Sequence, residues 1–193
     1  MAVALRPIVA DDAPFLQRVY ASTREEELAA VPWSDERKAA FVAMQFAAQS
    51  AHYAQHYSGM SADVIVVDGE DAGRLLVARW AREIRIVDIA LLPAFRGRGA
   101  GSGLLAELLD EATEMGKALS IHVERDNRAM RLYERLGFEP VGETGVYLRM
   151  EWEEADDRRR HRDDDRVEAD RGHARRDPRG GGRIEGNPRG RIR

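Results

Sequence analysis

The segment Leu92-Pro93-Ala94-Phe95-Arg96-Gly97-Arg98-Gly99-Ala100-Gly101-Ser102-Gly103 sets glycines and two arginines between a strand pattern and a Leu-rich helix pattern. Glycine lets the backbone take positive φ and approach a ligand closely. The free N–H groups at the start of the following helix point outward, and the helix dipole favours an anion there. Arg96 and Arg98 add positive charge at the same place. This combination is that of a phosphate-binding loop. The spacing excludes two common phosphate motifs. No Lys follows the glycines, so the segment is not a G-x-x-x-x-G-K-[ST] loop. A G-x-G-x-x-G fingerprint fails as well, because its last position falls on Ser102 counted from Gly97 and on Leu104 counted from Gly99. Taken alone, the segment could also be a glycine-rich turn with solubilising arginines.

Other chemistry is narrowed by composition. The chain has no cysteine, which removes disulfide scaffolds, zinc–thiolate sites, Fe–S clusters and cysteine nucleophiles. His52 and His56 stand four residues apart, but no Glu of an H-E-x-x-H motif lies between them, so no metal site is expected. The run Arg24-Glu25-Glu26-Glu27 could draw in a cationic acceptor or form a solvated helix end. The longest apolar run, Ile89 to Phe95, is far too short to cross a bilayer, so no membrane partner is expected. Residues Met1 to Ile8 show no charged segment followed by an apolar core, and a cytoplasmic protein is expected.

The elements that must position the loop are readable from periodicity. The chain has 193 residues and a formal charge of −4. Residues 1–152 carry a net −6 and form one domain; residues 153–193 carry 13 arginines against 11 acids and only six hydrophobic residues. The latter cannot bury enough surface to fold and are expected to be a disordered tail. Their balanced charge argues against a nucleic-acid arm. Within the domain, Ala2 to Ile8 reads as an edge strand, and Asp11 or Asp12 caps a helix to Thr23. Ser34 caps a long helix from Asp35 to Tyr57 with two apolar stripes, Phe41, Met44, Ala48, Ala51 and Val42, Phe46, Tyr53, Tyr57, which predicts cover on both sides. Strands follow at Ala62–Asp68, Gly73–Ala81 and Glu83–Leu92, the last with Ile84, Ile86 and Asp88 alternating with Arg85, Val87 and Ile89. A helix at Gly101–Met115, a strand at Ala118–Glu124, a helix at Asn127–Leu136 and a hairpin of Phe138–Val141 with Val146–Trp152 complete the order.

Two motifs at this spacing carry a resemblance. Arg96-x-x-Gly99-x-Gly101, after a strand ending in Pro93, resembles the acetyl-CoA motif of the GNAT superfamily of N-acetyltransferases. Asn127-Arg-Ala-Met-Arg-Leu-Tyr133-Glu-Arg-Leu-Gly137-Phe138 is similar to the second motif of that superfamily, and Tyr147-Leu-Arg-Met-Glu-Trp152 to its last strand. The resemblance covers residues 3–152. It implies an α/β fold of the α+β type, with a mixed, mostly antiparallel central sheet and helices on both faces. It implies acetyl transfer from acetyl-CoA, as co-substrate, to a primary amine by direct attack, the acceptor being a small molecule or a protein amino terminus.

The same resemblance assigns residues. The strand before the loop splays from the next parallel strand, and Ile89, Ala90 and Leu91 pair with the pantetheine arm. Arg96, Gly97, Arg98, Gly99, Ala100, Gly101, Ser102 and Gly103 form the pyrophosphate loop. Asn127 contacts the pantetheine arm or caps the helix it begins. Tyr133 is the general acid for the leaving thiolate, or a core tyrosine. Arg85 stands where some relatives place a base, so His122 is the candidate base or a structural histidine, with Asp88 and Glu124 as further carboxylates. Another acyl donor, or a non-catalytic acyl-CoA-binding or protein-interaction module of the same fold, is the alternative. Monomer and homodimer are both open.

Overall fold

Seven stretches of the chain pair into a single sheet, the central ones rich in buried Val, Ile, Leu and Ala and the edge strand β6 exposed throughout. The computed structural model describes residues 1–154, so the tail expected over residues 153–193 lies almost wholly outside the described residues. The strands are β1 (Val3–Pro7), β2 (Ser61–Val67), β3 (Glu70–Arg79), β4 (Glu83–Leu91), β5 (Ala118–Glu124), β6 (Glu139–Thr144) and β7 (Tyr147–Trp152). The helices are α1 (Ala13–Ser22), α2 (Glu25–Ala29), α3 (Asp35–His56), α4 (Ala100–Met115) and α5 (Met130–Arg135). The spatial order is β1-β2-β3-β4-β5-β7-β6. Neighbours run antiparallel except β4 and β5, which are parallel and joined through α4. Among the described residues no helix is long and apolar enough to cross a membrane.

Each face of the sheet has its own core. Leu104, Leu105, Leu108 and Ala112 of α4 keep helical spacing and pack with Ile84, Ile86, Leu119, Ile121 and Val123 of the central strands. Leu105 is only 1% exposed, and burying such a side chain contributes roughly 1.5–3 kcal/mol. The opposite face carries Phe15, Leu16 and Val19 of α1 against Val64 and Ala90, with Phe46 of α3 packed beside them. Mixed strand directions and helices on both faces match the expected fold class.

Four local expectations need correction. First, β3–β4 pairing shifts register: Val77 faces Ile86 but Leu76 faces Asp88, leaving Val87 as an extra residue on β4. Such a bulge flips the phase of the alternation. Ile84 and Ile86 therefore share the α4 face with Ile89 and Leu91, and Asp88 turns to the α1–α3 side. Second, α3 is covered on one side only; Val42, Gln49 and Tyr53 are buried, while Met44 is 57% exposed and Ala48 and Ala51 are exposed. Third, the Asp12 carboxylate reaches back to the Val9 N–H (2.8 Å) and to Arg6 (2.8 and 2.9 Å) and makes no cap bond to α1. Fourth, α5 begins at Met130, because Asn127 starts a turn of its own. The Ser34 cap holds, its hydroxyl accepting from the Arg37 N–H at 3.3 Å.

Candidate functional site

The glycine segment folds as a 3-10 turn, Pro93–Phe95, then a loop that enters α4 at Gly99. Gly97 and Gly99 have φ of +72° and +93°, which a side chain would strain. Gly101 and Gly103 lie in the first turn of the helix. A Cβ at Gly103 would meet nothing within 4 Å, and one at Gly101 only Leu91 Cδ1 at 3.8 Å. The missing side chains leave open space over the helix start rather than making room for the protein itself. The Gly103 N–H closes onto the Gly99 carbonyl at 2.9 Å. The N–H groups of Ala100, Gly101 and Ser102 precede the first full turn and have no intrahelical acceptor. Arg98 is exposed and stacks on Phe95, 5.9 Å from its ring centre.

Below the loop, the parallel strands part. Pairing runs from Glu83 with Ala118 to Ile86 with Ile121 and stops there, although β4 continues to Leu91 and β5 to Glu124. The bulge at Val87 is the physical cause, since an extra residue bends and twists its strand. On its other edge the upper half of β4 stays bound to β3, with Leu75 opposite Ile89, Arg74 opposite Ala90 and Gly73 opposite Leu91. The approach is close: a Cβ on Gly73 would stand 2.1 Å from the Ala90 carbonyl oxygen. The edge of Ile89, Ala90 and Leu91 that faces β5 thus has no ladder to β5, and it opens beneath the start of α4.

Tyr133 of α5 is 4% exposed, packed in the α4-side core edge-on to Phe138 at 5.7 Å. Asn127 is half-buried in the turn after β5, where its Oδ1 accepts from the Ala129 N–H at 2.8 Å. That engages one end of the carboxamide in an Asx turn. Arg96 does not reach over the helix start. Its Nε donates to the Leu91 carbonyl at 2.7 Å, and its Nη2 donates to the carbonyl and hydroxyl of Ser22 at 3.2 and 3.0 Å.

His122 and Glu124 fall on the α1–α3 side of β5, next to the parting of the strands. His122 is opposite Arg149, and Glu124 opposite Tyr147, whose hydroxyl donates to it at 3.3 Å. Burial lowers the His122 pKa, and the nearby charges of Arg85 and Arg149 lower it further against a smaller opposing effect of Glu83. The imidazole is therefore neutral at pH 7. Sequence reasoning missed the group that sets this environment. Glu83 accepts from Arg85 Nε (3.1 Å) and Nη2 (2.7 Å) and from the Ser120 hydroxyl, with Arg149 3.5 Å away. An arginine in a strand interior, Arg85, was the available signal. Asp88 is 3% exposed and ion-paired with Arg74, which is itself bonded to Gln49 of α3 at 2.6 Å. The Asp88 carboxylate is thus engaged by an ion pair on the α1–α3 side of the sheet. His52, half-buried, and His56, exposed, stack on each other at 4.1 Å along α3.

Comparison with known proteins follows the same lines. The model of the GNAT acetyltransferase family matches residues 16–138. The N-alpha-acetyltransferase RimI of Mycobacterium tuberculosis is 41% identical over 69 residues, 35% of this chain and 42% of that protein. The ribosomal protein bS18-alanine N-acetyltransferase of Haemophilus influenzae is 38% identical over 60 residues, 31% of this chain and 41% of the relative. The match thus spans less than half the length of either. The PaiA N-acetyltransferase of Thermoplasma acidophilum, solved with coenzyme A, has the same fold at a TM-score of 0.61 and 18% identity, over 79% of this chain and 99% of its own. With the family model covering most of the described residues and both motifs inside it or at its edge, this chain belongs to the GNAT family of acetyltransferases.

Proposed function

We propose that this protein transfers the acetyl group of acetyl-CoA to a primary amine, and that the parted upper half of β4 and β5 is where the thioester is held. The observation that carries this reading is the end of the parallel ladder at Ile86 and Ile121, beneath a helix start with glycine at positions 99, 101 and 103. The residues fit the co-substrate in kind. Amides of Arg98 through Ser102 suit the diphosphate, with Gly97 and Gly103 beside them, and the edge of Ile89, Ala90 and Leu91 that carries no ladder to β5, its Leu91 carbonyl held by Arg96, suits an extended amide-bearing arm. Asn127 keeps its carboxamide NH2 to offer to the same arm.

The chemistry then falls to few groups. An amine near pKa 10 arrives protonated and must lose a proton before it can attack. His122, neutral at pH 7, takes that proton directly or through water. The nitrogen attacks the thioester carbon, and backbone N–H groups along β4 stabilise the oxyanion. The C–S bond breaks, and Tyr133 gives its phenolic proton to the departing sulfur. The acylated nitrogen gives up its remaining excess proton to the tyrosinate, which restores the phenol, His122 releases its proton to solvent, and the amide product and CoA leave. Positioning two substrates accounts for most of the rate gain. The named activities of the relatives make a protein amino terminus, alanine included, the first acceptor to try. The test is release of free CoA thiol with a panel of amines and alanine-initiated peptides; the absence of cysteine from the chain leaves the thiol assay without background. Thiol release that requires both acceptor and Tyr133 supports the reading, and none with any amine supports the binding-module alternative.

A further inference from the structure

We infer that Arg96 is a positioning residue that ties the glycine loop to the α1–α2 connection, rather than a ligand of the diphosphate. The inference rests on the reading of the glycine loop as the seat of the CoA diphosphate. The geometry is specific. One guanidinium joins three parts of the chain: the loop that carries it, the last residue of β4 through the Leu91 carbonyl, and the last residue of α1 through Ser22. The Ser22 hydroxyl is itself oriented, donating to the Val19 carbonyl at 2.8 Å and so turning a lone pair to Arg96. All three acceptors of Arg96 are uncharged, so the fork is used for direction and its charge is left to act at a distance. A planar fork with fixed donors is suited to such a junction, and an ammonium is not.

What Arg96 holds has a second anchor. Beyond Ser22, Arg24 is 4% exposed; it bonds to Glu27 at 2.8 and 2.9 Å, and Leu28 is buried with it. Glu26 of α2 then pairs with Arg128 in the turn after β5. The α1–α2 connection is therefore tied to the β4 side of the parted strands by Arg96, while toward β5 it meets Arg128 through an ion pair exposed on both partners, which adds little. Ordering of the glycine loop by a bound diphosphate must pass through Arg96 to Thr23–Ala30, which is how occupancy of the donor seat would set that connection before an amine arrives. Coupling of this kind needs a physical link with two ends, and the guanidinium is that link.

The experiment is hydrogen exchange of the full chain with and without CoA, on the wild type, Arg96→Lys and Ser22→Ala. Arg96→Lys keeps the charge and removes the fork. In the wild type, CoA is expected to slow exchange both at Ala100–Gly103 and at Thr23–Ala30. In Arg96→Lys, CoA affinity is expected to stay within about threefold of wild type and protection at Ala100–Gly103 to persist, while protection at Thr23–Ala30 is lost. Ser22→Ala, which leaves the Ser22 carbonyl and the whole loop in place, is expected to weaken that protection partly; it carries the test if the lysine variant does not fold. Retention of full protection at Thr23–Ala30 in both variants overturns the tie. So does a tenfold or greater loss of CoA affinity in Arg96→Lys, which would make Arg96 a phosphate ligand. Protection of Ala100–Gly103 alone in the wild type refutes the coupling but keeps the diphosphate seat; no CoA binding at all removes both.

Discussion

The two halves of the β4–β5 pair differ sharply. In the lower half, Glu83 to Ile86 are laddered to Ala118 to Ile121, and the polar side is closed by Glu83, Arg85 and Ser120 bonding to one another. In the upper half the same two strands share no ladder, the polar side presents His122 and Glu124, and a glycine-rich helix start stands above. The apolar lining continues through both halves, from Ile84 and Leu119 to Ile89 and Val123. One extra residue, Val87, separates a region that completes its own hydrogen bonds from one that offers them. Backbone groups inside a sheet are normally paired, so the half with no β4–β5 ladder is the half proposed to take a ligand.

The sharpest way to break this contrast is at the chemistry of the upper half. Tyr133→Phe is expected to lower kcat by about 10² to 10⁴, the range for loss of a positioned general acid, with acetyl-CoA affinity unchanged; steady-state thiol release and calorimetry together check it. Next comes the helix start. Gly101→Val adds side-chain bulk where only Leu91 stands nearby, so the fold should survive while acetyl-CoA binds about a hundredfold more weakly, the equivalent of losing one or two charge-assisted hydrogen bonds. A circular-dichroism melt beside a titration separates the two effects.

A smaller effect is expected where the upper half leans on β3. Gly73→Ala would push its Cβ against the Ala90 carbonyl and should cost about 1–3 kcal/mol by overpacking, seen as a lowered melting temperature. The smallest tests the electrostatic border between the halves. Burial, and after it the positive charge of Arg85 and Arg149, disfavours the protonated form of His122, so the acidic limb of kcat/KM should lie below the ordinary histidine value of about 6.5. Arg149→Gln removes part of that repulsion and should move the limb upward by less than about one pH unit. A limb that is unmoved, or moved down, would count against His122 as the base.

The sequence was most legible where periodicity or motif spacing acts locally. The seven strands, the long helices, the Ser34 cap and the glycine loop follow from patterns within a dozen residues. Three features escaped because they are made by pairing at a distance. The bulge at Val87 is a mismatch between β3 and β4, and nothing in Ile86-Val87-Asp88 announces it. Beyond Phe41, which packs, the outer stripe of α3 is built of Ala and Met, which stay at the surface as readily as they pack. The bond from Arg96 to Ser22 joins positions 74 residues apart. At the site, the structure sets the loop glycines at the start of α4 and parts the strands below them. That the loop and the parted edge hold CoA, and the roles of Tyr133, His122 and Asn127, stay with the proposal.

The occupant of the parted strands decides whether the protein uses acetyl-CoA. Calorimetric titration of the full chain with acetyl-CoA, and in parallel with NADPH as a second phosphate-bearing cofactor, tests it most directly. Saturable binding of acetyl-CoA, absent for NADPH and abolished by Gly101→Val in a folded protein, is the predicted result. A folded wild-type protein that takes up no acetyl-CoA, or that binds NADPH equally well, would contradict it.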